Sequence, residues 1–268
     1  MYKIGFIGCG NMGKAMIGGI INSRIYKADE IIALDLNECL LSEVKGVFGI
    51  NTTRDTLYLA ENSRIIILSV KPNIYNIILN EIKDKISHDT IVISIAPGIS
   101  IKSIEDVIGS DKKVIRTMPN TPALVNEGMS AICISNKVSE VEKEEVLKIY
   151  SSFGIAEIVS EKLMDCVVGV SGSSPAYVYM FIEAMADVAV LAGMPRDKAY
   201  KFAAQSIMGS AKMVLDTGIH PAALKDMVCS PGGTTIEAAA VLEEMGFRSS
   251  VISAMKSCIK KSSKLTSK

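Results

Sequence analysis

Apolar residues in the first half of the chain gather in short β-branched runs, and helix-patterned stretches separate them. Residues 2–7, 31–34, 65–70, 91–95 and 114–118 are such runs. Each has the length and composition of a strand buried on both faces. Residues 74–86 and 101–108 repeat apolar side chains at helical spacing between them. The alternation predicts an α/β fold, a Rossmann-like, parallel, doubly wound sheet. Residues 129–134 and 155–159 add edge strands, and Ser139 with Glu142 forms a capping box that opens a helix over 139–153.

The pattern changes after Glu161. Strand-like runs cease, and helical ones fill 174–192, 197–216, a short stretch from Pro221, and 236 onward. This divides the chain into an α/β domain, 1–160, and an all-α domain, 161–268. The helix over 174–192, with Pro175 at its first position, is apolar almost all round: Val178, Phe181, Ile182, Met185, Val188, Leu191. Such a helix is buried on every side. A domain of ~100 residues covers one poorly, so a second subunit is expected to pack on it. The Lys- and Ser-rich end, 260–268, reads as a frayed, solvated tail.

Charge narrows the function classes. Lys+Arg and Asp+Glu both number 29, which gives no global field for nucleic acid or an anionic membrane. No apolar run is expected to approach a membrane span, and the chain enters its first strand without a signal-peptide pattern. The six cysteines are scattered with no CxxC pair. That argues against disulfide or metal frameworks and fits a reducing cytoplasm. Only His88 and His220 could supply an imidazole.

Gly8-Cys9-Gly10-Asn11-Met12-Gly13 lies between the first strand and a helix marked by Ala15, Met16, Ile17, Ile20 and Ile21. This is G-x-G-x-x-G in the setting a dinucleotide site requires. Gly8 permits the tight turn, Gly10 lets backbone approach a pyrophosphate, and Gly13 lets helix and strand pack closely. Gly8 to Lys14 also begins a P-loop pattern, but Ala15 stands where a magnesium-binding hydroxyl belongs, so that reading is rejected. Asp35 ends the second strand about twenty residues after the glycines, where a carboxylate binds the ribose hydroxyls of NAD. It would repel the 2′-phosphate of NADP, and Leu36 and Asn37 offer no cation, so NADH is favoured over NADPH. The later strands end in Val70-Lys71-Pro72-Asn73, Ala96-Pro97-Gly98 and Met118-Pro119-Asn120-Thr121-Pro122. Turn chemistry alone would account for these; their shared position at the ligand edge of the sheet favours cofactor contacts.

In the helical half, Val228-Cys229-Ser230-Pro231-Gly232-Gly233-Thr234-Thr235 feeds the helical run at 236–245. Thr234 as N-cap with Glu237 at N3 makes a capping box. A glycine loop before a helix N-terminus attracts a carboxylate or phosphate. By itself the stretch also reads as a capped loop between helices.

Three segments together resemble pyrroline-5-carboxylate reductase, the last enzyme of proline synthesis: Val114 to Pro122 (VIRTMPNTP), Val170 to Tyr177 (VSGSSPAY) and Leu224 to Thr235 (LKDMVCSPGGTT). The resemblance runs from the first strand to about Ser262. It implies NAD(P)H-dependent reduction of 1-pyrroline-5-carboxylate to L-proline by a cytoplasmic oxidoreductase. It also implies a C-terminal dimerisation domain that interlocks with its twin, the homodimers assembling further into decamers. By position, Ser230, Gly232, Gly233 and Thr234 would hold the substrate carboxylate, Thr235 would place its hydroxyl at the ring nitrogen, and Val228 and Glu161 would lie at the pocket. Gly8, Cys9, Gly10, Asn11, Met12, Gly13, Thr56, Ser69, Val70, Lys71, Pro72, Asn120 and Thr121 would line the cofactor. The chain departs from the family at Ser174, usually Gly; at Thr56, where Asn contacts the cofactor; at Pro97, which lacks an N–H; and at Cys229, where Ser is common. A cyclic imine needs little acid catalysis, because its nitrogen can already be protonated. A β-hydroxyacid or imine reductase of the same broad class would leave the Ser-Pro-Gly-Gly-Thr-Thr loop unexplained. It would also place a Lys or Asp on the long helix, where residues 175–191 hold Glu183 and Asp187 but no Lys. A non-catalytic NAD(P)-sensing protein would tend to have lost that loop first.

Overall fold

The β-branched runs form the middle of one sheet. In the computed structural model, which describes residues 1–266, the first part of the chain runs β1 (Tyr2–Ile7), α1 (Asn11–Asn22), β2 (Ile31–Leu34), α2 (Glu38–Phe48), β3 (Asn51–Thr53), α3 (Thr56–Asn62) and β4 (Ser63–Leu68). It continues through α4 (Tyr75–Ile82), β5 (Ile91–Ser94), α5 (Ile101–Ile108), β6 (Lys113–Met118), β7 (Gly128–Ile134), α6 (Glu140–Ser151) and β8 (Gly154–Ile158). The strand order is β3-β2-β1-β4-β5-β6-β7-β8. Its direction of growth reverses at β1, which pairs with β2 on one side and β4 on the other. A crevice opens at such a reversal, beyond the carboxyl ends of the strands.

The sheet is mixed where the alternation predicted a parallel one. β7 runs antiparallel to β6, and β8 is parallel to β7. A parallel return needs a crossover of about a dozen residues or more, and the link from Met118 to Gly128 is shorter than that. β3 is absent from the run pattern because its residues, Asn51–Thr53, are all polar.

Alternate strand residues face two apolar layers. Ile65 and Ile67 pack with Met16, Ile17, Val44, Ile149 and Phe153 on one side; Ile66 and Leu68 pack with Leu59, Tyr75, Leu79 and Ile104 on the other. A buried hydroxyl chain ties the ends of β4, β5 and β6 beneath the crevice. Tyr75 donates to Leu68 O (2.6 Å), Ser94 donates to Tyr75 Oη (3.1 Å), and Thr117 donates to Ser94 O (3.1 Å). Burial pushes the Tyr75 phenol up to about 12, so it stays a donor.

The remaining elements are helical: α7 (Met164–Val167), α8 (Ser174–Leu191), α9 (Arg196–Thr217), α10 (Pro221–Val228), α11 (Thr234–Glu244) and α12 (Phe247–Thr266). Packing groups residues 1–173 with the end of α12, from Cys258, into one unit, and Ser174–Ser257 into another. Pro175 does not begin a free-standing helix. A wide helical turn, Val168–Gly172, in which Ser173 N donates to Val168 O, carries α7 into α8. The continuous stretch Glu161–Leu191 is therefore long and apolar enough, by length and composition, to cross a membrane, contrary to the expectation from apolar runs. In the second unit α8 buries only Ala186, and α10 and α11 bury no residue. Leu191 is 87% exposed and Val188 65%. The apolar helix is thus uncovered in the single chain.

The tail expectation is corrected as well. α12 continues to Thr266, and Ser262 is buried, because Asp165 accepts hydrogen bonds from Ser262 Oγ (2.7 Å) and Thr266 Oγ1 (3.1 Å). Residues 267–268 of that expectation lie outside the described residues.

Glu145 on α6 accepts hydrogen bonds from Tyr26 Oη (2.5 Å) and Arg64 Nη1 (2.6 Å). Burial disfavours its charge, but the Arg64 and Tyr26 hydrogen bonds outweigh burial and lower its pKa. This stabilisation is complete above the ordinary carboxylate value of 4.5 and is lost as pH falls through the lower folded value. Glu145→Gln should therefore cost about 1 kcal/mol at neutral pH. Urea unfolding across a pH series should show the difference from the parent chain shrinking as pH falls below 4.5.

Candidate active site

The crevice is built around the glycine loop between β1 and α1. Gly8 has φ +108, and a Cβ there would lie 2.5 Å from Ser69 O, so the loop touches the end of β4 backbone to backbone. Ser69 Oγ clasps the same turn by donating to Gly8 O at 2.6 Å. A Cβ on Gly13 would lie 2.5 Å from Gly8 O, which brings α1 tight against the loop. Gly10 has nothing within 4 Å of its Cβ direction. It is also the N-cap of α1, with no side-chain cap and no acidic residue in the first turn, formed by Asn11, Met12 and Gly13. Such a terminus presents backbone N–H groups and the positive end of the helix dipole to an anion.

A cleft of about 530 Å³ lies at this point, within the usual range for small-molecule sites. It is lined by Gly8, Gly10, Asp35, Thr56, Ser69, Val70 and Lys71, so seven cofactor candidates meet there. Leu36, Leu40, Ile74, Ile77, Ile78 and Glu81 line it too and were missed from the sequence. Leu36 is 81% exposed and Ile77 67%; these apolar residues on polar positions were the available signal. Asp35 Oδ2 accepts from Cys9 N (2.7 Å) and Oδ1 from Asn37 N (2.9 Å), which fixes the carboxylate at the end of β2. Asn37 is occupied in capping α2, where its Oδ1 accepts from Cys39 N.

Other candidates do not line this cleft. The Cys9 side chain is fully buried, and burial, with Asp35 adding, pushes its thiol up to about 12; it shapes the loop and carries no thiolate chemistry. Pro72 begins the exposed turn before α4. Asn120 is buried after β6; its Nδ2 donates to Ser171 O (3.0 Å) and its Oδ1 accepts from Met129 N (2.8 Å). Ser171 O is open to Asn120 because Pro175, four residues on, has no N–H to offer it. Thr121 follows on the surface, opening the turn Thr121–Val125. Glu161 Oε1 accepts from Ile101 N (2.8 Å) and from Arg116 Nη1 (3.2 Å).

The substrate-loop candidates lie in the second unit. Cys229 closes α10, Gly232 adopts φ +66, and Gly233 N donates to Ser230 O at 3.0 Å. This turn starts the helix one residue earlier than expected. Gly233, not Thr234, is the N-cap of α11, it has no side-chain cap, and the expected Thr234–Glu237 capping box does not form. Thr234 and Thr235 occupy the first two helical positions, with Thr235 half-buried and Ser230, Gly232 and Thr234 exposed. Val228 lines a hollow of about 360 Å³ with Met213, Val214, Leu224 and Met227.

Comparison with known proteins agrees with both halves. The model for pyrroline-5-carboxylate reductase dimerisation matches residues 161–265, and that for NADP oxidoreductase, coenzyme F420-dependent, matches residues 3–98. The pyrroline-5-carboxylate reductase of Escherichia coli (strain K12) is 53% identical over 98% of both chains. That of Methanosarcina acetivorans is 43% identical over 94% of each. A crystal structure of Plasmodium falciparum pyrroline carboxylate reductase with NADP bound superposes with a TM-score of 0.90 at 35% identity, covering 99% of this chain and 98% of that one. With a Rossmann-like mixed sheet followed by a helical dimerisation domain, the chain belongs to the pyrroline-5-carboxylate reductase family.

Proposed function

We propose that the chain reduces 1-pyrroline-5-carboxylate to L-proline, the final step of proline biosynthesis, with NADH as its preferred reductant. The observation that carries this reading is a pair of helix N-termini, α1 and α11, each fed by a glycine loop and each without a side-chain cap. One suits a pyrophosphate and the other a substrate carboxylate. Close packing at Gly8 and Gly13 with open space at Gly10 fits a dinucleotide. When bound, the dinucleotide supplies the hydride.

In this reading Ser230, Gly232, Gly233 and Thr234 hold the carboxylate, largely through backbone N–H groups, with Val228 and Glu161 at the pocket. Thr235 donates or accepts at the ring nitrogen, orients the C=N bond and relays the proton. The nitrogen of a protonated imine needs no stronger acid, so positioning and fixed dipoles carry most of the rate. The uncovered second unit pairs with its twin, and the dimers assemble into decamers. The division at 160/161 separates the dinucleotide domain from the substrate and dimerisation domain. The scattered spacing of the six cysteines, with no CxxC pair, supports a reducing cytoplasm as the compartment.

Preference for NADH rests on Asp35. It lines the cleft with Glu81, and Lys71 is the one cation among the described lining residues. A ribose diol can donate to Asp35, whereas a 2′-phosphate would meet its charge. Initial rates with the two cofactors should favour NADH, and Asp35→Ser should lower the NADH-to-NADPH ratio of kcat/KM about tenfold or more. A higher rate with NADPH in the parent enzyme would reverse the assignment. Thr235→Ala should reduce kcat about 100-fold while cofactor binding, followed by fluorescence, stays unchanged. Turnover equal to the parent would remove Thr235 from the mechanism. Gly10→Ala should fold normally yet raise the cofactor KM about tenfold, whereas Gly13→Ala should lose about 1–3 kcal/mol of stability in urea unfolding.

A further inference from the structure

Two carboxylates four residues apart, Glu161 and Asp165, brace one loop, Glu161 at its far end and Asp165 at its middle through a neighbouring helix. We propose that they are positioning residues that fix the β5–α5 loop, residues 95–100, at the nicotinamide edge of the cleft; the proposal rests on the cofactor reading above. The loop leaves the carboxyl end of β5, on the β4 side of the crevice and away from Asp35. When a dinucleotide straddles such a crevice with its adenosine ribose at the end of β2, its other half lies over this side.

Glu161 holds the far end. Its Oε1 accepts from the backbone N of Ile101, the first residue of α5, at 2.8 Å. It cannot turn to a ligand cheaply. Arg116 is 2% exposed, and its Nε and Nη2 have no partner among the described residues. Nη1 reaches Glu161 at 3.2 Å, so moving Glu161 would leave a buried guanidinium without its carboxylate.

Asp165 braces the middle of the loop through the last turn of α12. One oxygen, Oδ1, accepts from Ser262 and Thr266, four residues apart on that helix. Leu265 lies between them. Gly98, at φ +79, rests directly on it: a Cβ on Gly98 would come 3.0 Å from Leu265 Cβ and 3.3 Å from Leu265 C. The C-terminal turn is therefore a wall against which the loop is set, and Asp165 keeps the wall in place.

The full-length enzyme tests this with Asp165→Asn and the double variant Ser262→Ala/Thr266→Val, with Thr266→Ser as the conservative control and Glu161→Gln read by hydrogen exchange alone. Two readouts are taken: hydrogen exchange of the peptide spanning 95–101, and steady-state kinetics with the cofactor varied. Disrupting variants should exchange that peptide about tenfold faster. Asp165→Asn and the double variant should raise the cofactor KM about fivefold with kcat within about twofold, and Thr266→Ser should match the parent. Should Asp165→Asn fail to fold, the double variant removes the same contact from the helix side. Unchanged exchange would overturn the clamp. Faster exchange with an unchanged cofactor KM would overturn the role in cofactor positioning, and a fall in kcat alone would reduce the contacts to a structural role. The parent enzyme's rates with the two cofactors judge the cofactor reading separately.

Discussion

The backbone contact between Gly8 and the end of β4 is the constraint on which the first unit depends. Two chain segments with side chains could not come this close, since a Cβ on Gly8 would sit 2.5 Å from Ser69 O. Because they do, the glycine turn, the start of α1 and the β4 loop share one small region at the reversal of strand order. Ser69 Oγ clasps the turn, and Asp35 is drawn in by Cys9 N. The hydroxyl chain through Tyr75, Ser94 and Thr117 then holds the neighbouring strand ends at fixed heights. The cleft is a consequence of close packing beneath it.

The second unit obeys a different constraint. Its helices hold large apolar side chains that the single chain leaves open, among them Leu191, Phe202 and Met227. Leaving that much apolar surface in water costs heavily. A dimerisation domain resolves this by supplying the missing layer from a second copy. The Ser230–Thr235 loop belongs to the same uncovered unit, so the surface that drives pairing and the loop proposed to bind substrate are built from one set of helices.

What the sequence made legible follows from how local each signal is. The β-branched runs and the G-x-G-x-x-G spacing are local, and β1, β2, β4, β5 and β6 with the glycine turn stand where those patterns indicated. The direction of β7 depends on the length of a connection, which run patterns do not measure. The cap of α11 depends on Gly232 taking φ +66, which moves the helix start by one residue; Thr and Gly both cap helices, and composition cannot choose. The end of α12 looked solvated because of its lysines. Ser262 and Thr266 on its other face find Asp165, nearly 100 residues away in sequence, a pairing that only the fold brings together. The apolar lining of the cleft was missed for the opposite reason: Leu36 and Ile77 sit in the open, whereas the run patterns were used to find buried faces.

Glu161 shows how resemblance and geometry bear on one residue. Resemblance alone puts it near the substrate. In the fold its Oε1 already serves a helix N-terminus and a buried arginine. A carboxylate so committed can still border a pocket, but releasing it to bind a ligand would strip Arg116 of its charge partner and α5 of its first hydrogen bond. Fixed dipoles catalyse by staying where they are. A residue held on two sides is better suited to keeping a loop in place than to following a substrate.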